Sequence, residues 1–310
     1  MQGIPKPENI TLLRASLLAK VPFLLHAFST RAGGFSECYG GHSLNLGFTK
    51  EDHESSVKRN RRAFLEALSW KDRYRPGYSG KARTGERLEG DLSNLVTLRQ
   101  LHSDLIHYVA GPPQGRLAGD GVITDVPGLL LAIQSADCLP VLLVDPKRRA
   151  VGVFHAGWRG TLQGIVEKGV GKMRFCFGSR PRDLKAAIGP GIHRCCYQVG
   201  EEIRRNFESQ FVYAGKLFRE VKDSDPVREK YPLLFLTARA PGHGELPNKI
   251  FLDLVEANRR QLIEAGLAAK NIEASPLCTN CRNDLLFSHR AEKGKTGRMM
   301  AVAGIRRTTR

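Results

Sequence analysis

The sequence predicts an α+β fold built in layers, and three observations predict it. Short runs of branched apolar residues alternate with longer segments whose apolar residues recur at helical spacing. Two of the short runs are separated only by "PKRR" (146–149), enough for a hairpin and far too little for a parallel crossover. The strongest breaks, "WKDRYRPGYSGKARTGERLEGD" (70–91) and "TARAPGHGELPNK" (237–249), are rich in Gly, Pro and charge and read as surface loops or insertions with little to bury.

Along the chain, "FSTRAGGFSECYGGHSLNLG" (28–47) is a Gly-rich loop holding Arg31, His42 and Asn45. It has neither the GK[ST] ending of a phosphate-cradling loop nor a G-x-G-x-x-G fingerprint. "LVTLRQLH" (95–102), "LLLAIQS" (129–135), "LPVLLVD" (139–145) and "AVGVFHAG" (150–157) read as strands, being short and rich in branched apolar residues. Helical spacing predicts helices over 161–178, 199–211 and 251–266, the last stopped by Gly266. "IGPGIHRCCYQVG" (188–200) is a turn leading into a helix, and "FSHRAEKGKTGRMMAVAGI" (287–305) is strand-like at both ends of a basic, glycine-rich turn, as in a hairpin.

Length and composition narrow the function classes. With 310 residues, 41% of them hydrophobic, the chain can bury a substantial core. No stretch is long and apolar enough to span a bilayer, and the N-terminal residues lack the apolar core and cleavage site of a secretory signal, so the expected location is cytoplasmic, away from membranes. Seven cysteines in a chain this long suit reduced thiols or metal ligands better than a disulfide framework. The net charge of +17 attracts polyanions in general. Because the basic residues are scattered in short groups without a nucleic-acid motif, a solvated basic surface is expected and no specific nucleic-acid partner.

The chemistry gathers around the hairpin. If 139–145 and 150–157 pair antiparallel, Cys138 lies beside the residues near His155, and His102 at the end of "LVTLRQLH" can meet both at one sheet edge. Two imidazoles and a thiolate make a zinc triad that leaves a fourth position open for water or a substrate oxygen, as in a catalytic site. Spacing alone favours the plainer reading of a buried cysteine and a turn histidine, and it also allows a Cys138 nucleophile with His155 as base and a polar side chain as orienter. Arg159 in "HAGWRG" stands near a helix start expected at Thr161, where a guanidinium suits a bound anion such as phosphate. Asp137 precedes Cys138, and Arg290, Lys295 and Arg298 add positive charge that a phosphate would welcome. "CTNC" (278–281) is half of a zinc ribbon without its other half at the usual spacing. A site combined with Cys195 and Cys196 would need a coincidence of folding, so buried thiols are expected at all four.

Six motifs in order, "STRAGG…HSLNLG", "QLHSD", "GDGVITDVPGLLLAIQSADCLPVLLVD", "GVFHAGWRGTLQGIV", "AAIGPGIHRCCYQVG" and "CTNCRNDLLFSHRAEKGKTGRMMAVAGI", resemble the YfiH-type, or laccase-domain, family of purine nucleoside phosphorylases. The resemblance implies a layered α/β sandwich with mixed sheets in one catalytic domain over 26–305, between an N-terminal extension (1–25) and a basic tail (306–310). It implies one Zn2+ on His102, Cys138 and His155, the set already reached from the residues. It further implies phosphorolysis of adenosine, guanosine, inosine and S-methyl-5′-thioadenosine with inorganic phosphate, and deamination of adenosine. Arg31, Asn45, Asp137 and Arg159 match polar positions lining the family's pocket, with Arg31 and Arg159 expected to position phosphate and Asp137 to hold the nucleoside. The alternative is a laccase-like phenol oxidase with Cu2+, weakened by the lack of the H-x-H pairs a multicopper centre requires. Segments 70–91 and 237–249 look longer than the family's usual connections, so pocket access and oligomer contacts stay open, and His42 either binds substrate or faces solvent.

Overall fold

The computed structural model describes residues 10–68, 92–221 and 248–307. The insertion at 70–91, most of that at 237–249 and the last residues of the basic tail lie outside the described residues. The strands are β1 (Leu12–Leu13), β2 (Leu24–Ser29), β3 (Ala32–Ser36), β4 (Leu95–Arg99), β5 (Ile106–Tyr108), β6 (Leu117–Ala118), β7 (Gly121–Thr124) and β8 (Leu130–Ser135). They continue with β9 (Leu139–Asp145), β10 (Ala150–Ala156), β11 (Lys185–Ile188), β12 (Gln198–Val199), β13 (Phe218–Val221), β14 (Lys249–Leu252), β15 (Ile272–Ala274) and β16 (Met299–Ile305). The helices are α1 (Ser16–Ala19), α2 (Glu54–Ala67), α3 (Trp158–Leu162), α4 (Ile165–Phe177), α5 (Glu201–Gln210) and α6 (Leu254–Glu264). Among the described residues no helix is long and apolar enough to cross a membrane.

Two six-stranded mixed sheets carry the fold, in the orders β1-β2-β16-β8-β4-β6 and β15-β11-β9-β10-β7-β5, beside a small sheet β12-β14-β13. Alternation along the strands explains why they stack. In β8, Leu131 and Ile133 meet Leu142 and Val144 of β9 and Val151 and Val153 of β10, forming the core between the sheets. The intervening residues face the other way: Leu130 and Ala132 pack under Phe64 and Leu65 of α2. Likewise Leu139, Val141 and Leu143 pack under Val166, Val170 and Met173 of α4 and Leu262 of α6. The result is an α/β sandwich with sheets inside and helices outside, and both faces of β8, β9 and β10 are buried. That is why these strands read as unbroken apolar runs.

The expected hairpin is present, with Ala150 opposite Asp145 and Ala156 opposite Leu139. Its turn is fastened by the Asp145 carboxylate, which accepts from the backbone N–H groups of Lys147 (2.8 Å) and Arg148 (3.0 Å). Residues 10–25, within the expected N-terminal extension, pack onto the sheets: β1 pairs with β2, and Leu18, Val21 and Phe23 join the core between the sheets.

Four element boundaries differ from expectation. The strand 95–102 stops at Arg99, leaving Leu101 and His102 in a loop, because three backbone N–H groups there turn onto a carboxylate instead of a neighbouring strand. The helix expected from Thr161 begins at Trp158 and is two helices, broken by Gly164 at a left-handed φ of 74°. The helix 251–266 gives up Phe251 and Leu252 to β14, since the Asp253 side chain accepts from Glu256 N–H (2.9 Å) and starts the helix there. Of the segment 287–305 only the second half is a strand, β16, and Phe287 is instead buried in a cluster with Tyr39, Leu286 and Met299.

Candidate metal centre and cavity

The hairpin register places His155 opposite Pro140, so Cys138, two residues earlier, sits at the same sheet end. In β10, Phe154 and Ala156 point to the helices, so alternation turns His155 toward the other sheet. The loop after β4 brings His102. The Nδ1 or Nε2 atoms of His102 and His155 and the Sγ of Cys138 all lie within 4.8 Å of one another. The two imidazole rings stand edge to face with centroids 4.9 Å apart. Gly157 makes room for the group: a Cβ there would lie 2.9 Å from Cys138 Sγ and 3.2 Å from His102 Cδ2.

Asp120, fully buried and contributed by the turn before β7, organises two of the three residues. Its carboxylate accepts from the backbone N–H groups of Leu101 (3.0 Å), His102 (3.0 Å) and Ser103 (2.7 Å), and from the Ser103 hydroxyl (2.7 Å). The same carboxylate is 2.9 Å from His155 Nδ1, and the Asp120 carbonyl accepts the His155 backbone N–H at 2.7 Å. Burial works against its ionisation, yet the hydrogen bonds from His155 and Ser103 prevail and hold it well below the usual carboxylate range. With Nδ1 turned to Asp120, Nε2 of His155 is left for a ligand, the carboxylate–imidazole pairing that orients metal-bound histidines.

Burial also opposes ionisation of the Cys138 thiol, but the charge of His155 and hydrogen bonds from both histidines outweigh it and bring the thiol down to about 6. For His155, burial favours the neutral ring, while the Cys138 charge and the Asp120 hydrogen bond raise it to about 9. The thiolate is the form in which cysteine binds a metal or attacks a carbon. Two imidazole nitrogens, one thiolate and a carboxylate behind one ring fit a zinc ion. The same donors fit Cu2+, and Gln100 and Gln134 lie in the same cavity wall.

The three residues form one wall of a cavity of about 590 Å³ at the end of the sandwich. Arg99, Arg116, Arg290 and Arg298 line it, and among the described lining residues Asp137 is the one carboxylate. Hydrogen bonds to Leu98 O, Gln198 O and the carbonyls of Thr296 and Gly297 hold the guanidinium groups of Arg116, Arg290 and Arg298 in turn. Each guanidinium has five N–H donors, so donors are left for an anion. Burial and the nearby Cys138 charge push the Tyr197 phenol on the cavity wall well above its usual range, keeping it neutral.

The predicted polar residues separate into two groups. Asp137 is in the cavity wall, but its carboxylate is taken up by the hydroxyls of Thr279 (2.6 Å) and Ser288 (2.8 Å) and by Arg290 N–H (2.7 Å). Asp137 has φ 96° and His102 φ 57°, left-handed conformations that side chains adopt only where the surroundings enforce them. Arg31, Asn45 and Arg159 do not line this cavity. Arg31 is tied to Asn283, to Tyr39 O and to Glu292 (3.1 Å) and borders a second cavity with His42, which is exposed. Asn45 is fully buried and fastens the loop that follows β3, donating to Asp52 (2.7 Å) and accepting from Arg298 N–H (2.9 Å). Arg159 lies over the Trp158 ring at 4.3 Å. Lys295 is likewise outside the cavity lining, whereas Arg290 and Arg298 are in it.

Sequence reasoning missed Asp120, Arg99 and Arg116. Asp120 stood in "GDG", a turn signal, and its partners at 101–103 and 155 are distant in sequence. Arg99 closes β4 and Arg116 lies in the segment leading to β6, where nothing but the sheet's parallel pairing brings them to one cavity.

Residues 25–76 and 79–306 match the family model described as multi-copper polyphenol oxidoreductase laccase. The chain is 33% identical over 298 residues to the purine nucleoside phosphorylase YlmD of Geobacillus stearothermophilus, covering 90% of this chain and 92% of that protein. It is 31% identical over 217 residues to adenosine deaminase RL5 of an unknown prokaryotic organism, covering 67% of this chain and 74% of that protein. The crystal structure of hypothetical protein YfiH from Bacillus licheniformis superposes with a TM-score of 0.72 at 34% identity, covering 93% of this chain and 94% of that one.

Proposed function

Because this chain belongs to the multi-copper polyphenol oxidoreductase laccase family, whose similar members include purine nucleoside phosphorylases, we propose that it is a zinc-dependent purine nucleoside phosphorylase. It would split adenosine, guanosine, inosine and S-methyl-5′-thioadenosine with inorganic phosphate and also deaminate adenosine. One observation carries the reading: His102, Cys138 and His155 converge on the wall of a cavity lined by four arginines.

His102, Cys138 and His155 would hold the zinc. When bound, such an ion supplies Lewis acidity and lowers the pKa of water. Phosphorolysis asks of the protein that it hold phosphate against the ribose anomeric carbon while the bond to the purine nitrogen breaks and the base leaves with its electron pair. Arg99, Arg116, Arg290 and Arg298 supply the positive charge and N–H donors for that anion, while Arg31 is tied to Asn283 and Glu292 away from this cavity. Asp137 acts as a positioning residue: its carboxylate fixes Arg290 through the backbone and ties 279 and 288 to the cavity wall. Tyr197, kept protonated, is a hydrogen-bond donor for a base or sugar oxygen.

The second reading, a Cys138 nucleophile with His155 as base and Asp120 as orienter, rests on the same geometry, His155 Nδ1 lying 2.9 Å from the Asp120 carboxylate. The deciding experiment incubates the protein with adenosine, with and without phosphate, alongside metal analysis. Adenine and ribose 1-phosphate appearing only with phosphate, inosine appearing without it, and activity lost with zinc in Cys138→Ala are expected. A metal-free protein that still splits adenosine refutes the zinc reading. Substitution of zinc by copper with phenol oxidation would place the chain with the alternative.

A further inference from the structure

Outside this cavity, the fold brings together the two cysteine pairs whose meeting seemed a coincidence. The sulfur atoms of Cys195, Cys196, Cys278 and Cys281 all lie within 4.8 Å of one another. Cys281 Sγ is 3.5 Å from that of Cys195 and 3.3 Å from that of Cys196. A tetrahedral zinc with sulfurs at about 2.3 Å sets them about 3.8 Å apart, within the observed spread, whereas a disulfide would draw two of them to about 2 Å. All seven cysteines are free thiols.

Local backbone supports a thiolate cluster rather than chance packing. The N–H groups of His193 (3.5 Å), Asn280 and Cys281 are directed at Cys278 Sγ, so the C-x-x-C turn offers donors to its first sulfur. The adjacent pair sits on a hydrogen-bonded turn in which Cys196 N–H and Tyr197 N–H both reach His193 O at 2.9 Å. The two turns are joined by a bridge between Gly191 and Cys278 and by Thr279 N–H to Gly191 O (3.0 Å). Cys278 is buried, whereas Cys195 and Cys281 are exposed, so an ion has access from solvent.

We propose that Cys195, Cys196, Cys278 and Cys281 form a second metal site, a closed four-thiolate zinc centre that staples together two loops of the cavity wall. Four soft donors with no fifth position make it structural, and four sulfurs in a tetrahedron select zinc over hard cations. Binding releases the thiol protons to water. The first loop carries Ile192 and Tyr197 of the cavity, and Ile192 N–H donates to Asp137 O (2.7 Å). The second carries Thr279, bonded to the Asp137 carboxylate, and runs on to Arg290. Both ends of the staple therefore bear on Asp137 and on the arginine-lined wall.

The full chain, purified with reductant and loaded with Zn2+, is expected to hold two zinc equivalents. Cys278→Ser/Cys281→Ser should lose one of them, and His102→Ala/Cys138→Ala the other. Should the first variant fail to fold, alkylation of the native wild type decides. Cys195, Cys196, Cys278 and Cys281 are expected to react at least about tenfold more slowly with Zn2+ present than after chelation. Equal zinc in wild type and the cysteine double variant, equal alkylation with and without Zn2+, or a disulfide among these four in the reduced protein overturns the proposal. Loss of zinc confined to His102→Ala/Cys138→Ala would leave the catalytic reading standing while refuting this one.

Discussion

Replacing Asp120 with asparagine tests whether the proposed metal centre depends on the residue behind it. One carboxylate oxygen accepts three donors, the N–H groups of Leu101 and Ser103 and the Ser103 hydroxyl, while the other serves His102 N–H and His155 Nδ1. Asparagine has one accepting oxygen, which best replaces the first, so its amide NH2 must face His102 N–H and His155. A donor then confronts His155 Nδ1, the ring takes the opposite tautomer, and its Nε2 carries a proton where it would need a free lone pair to bind a metal. Outer partners of metal-bound histidines are worth about 10- to 100-fold in affinity, or about 1.4 to 2.7 kcal/mol. The charge-assisted bonds lost on the 101–103 loop add about 1.5 to 3 kcal/mol of instability. The assay is zinc affinity by chelator competition, with thermal unfolding of the zinc-free protein alongside. Wild-type zinc affinity in Asp120→Asn would refute the assignment of Asp120 as the group that sets the His155 tautomer.

Three other outcomes follow from the same geometry. Gly157→Ala should lower zinc affinity, because its Cβ would come within 2.9 Å of Cys138 Sγ; unchanged zinc content would show that the thiol can move aside without cost. Arg298→Ala should raise the KM for phosphate about 10-fold or more while leaving bound zinc unchanged, as expected for one charge-assisted contact; an effect on nucleoside KM alone contradicts the phosphate assignment. His26, 1% exposed, is lowered to about 4 from 6.5 by burial and then by Arg14, so its contribution is fully present above pH 6.5 and is lost as pH falls toward 4. That loss amounts to about 3 kcal/mol. His26→Gln, which keeps an acceptor for Ala15 N–H, should flatten the fall in Tm over that window, and an unchanged slope would acquit His26.

Strand positions were readable where burial is two-sided. The runs 139–145 and 150–157 could hardly be anything but paired strands, and the short link between them dictated the hairpin and hence the meeting of Cys138 with His155. Boundaries set by one side chain were less readable. Asp253 caps α6, which begins three residues later than periodicity suggests, and Asp120 ends β4 early by drawing the 101–103 backbone to itself. Charge and local motif point to Arg31 as a phosphate holder, yet a guanidinium serves a fold as readily as a ligand. The bonds of Arg31 to Asn283 and Glu292 cross some 250 residues.

The sequence alone determined the layered α+β fold, the meeting of Cys138 with His155 at the sheet end, and the net positive charge, because alternation, hairpin length and residue chemistry are local properties. Which arginines face the cavity, that Asp120 stands behind His155, and that two cysteine pairs more than eighty residues apart share one point were decided only by the tertiary structure. Those facts depend on how sheets and loops stack, and stacking is settled by the sum of many weak apolar contacts between distant segments, which no short stretch of sequence carries by itself.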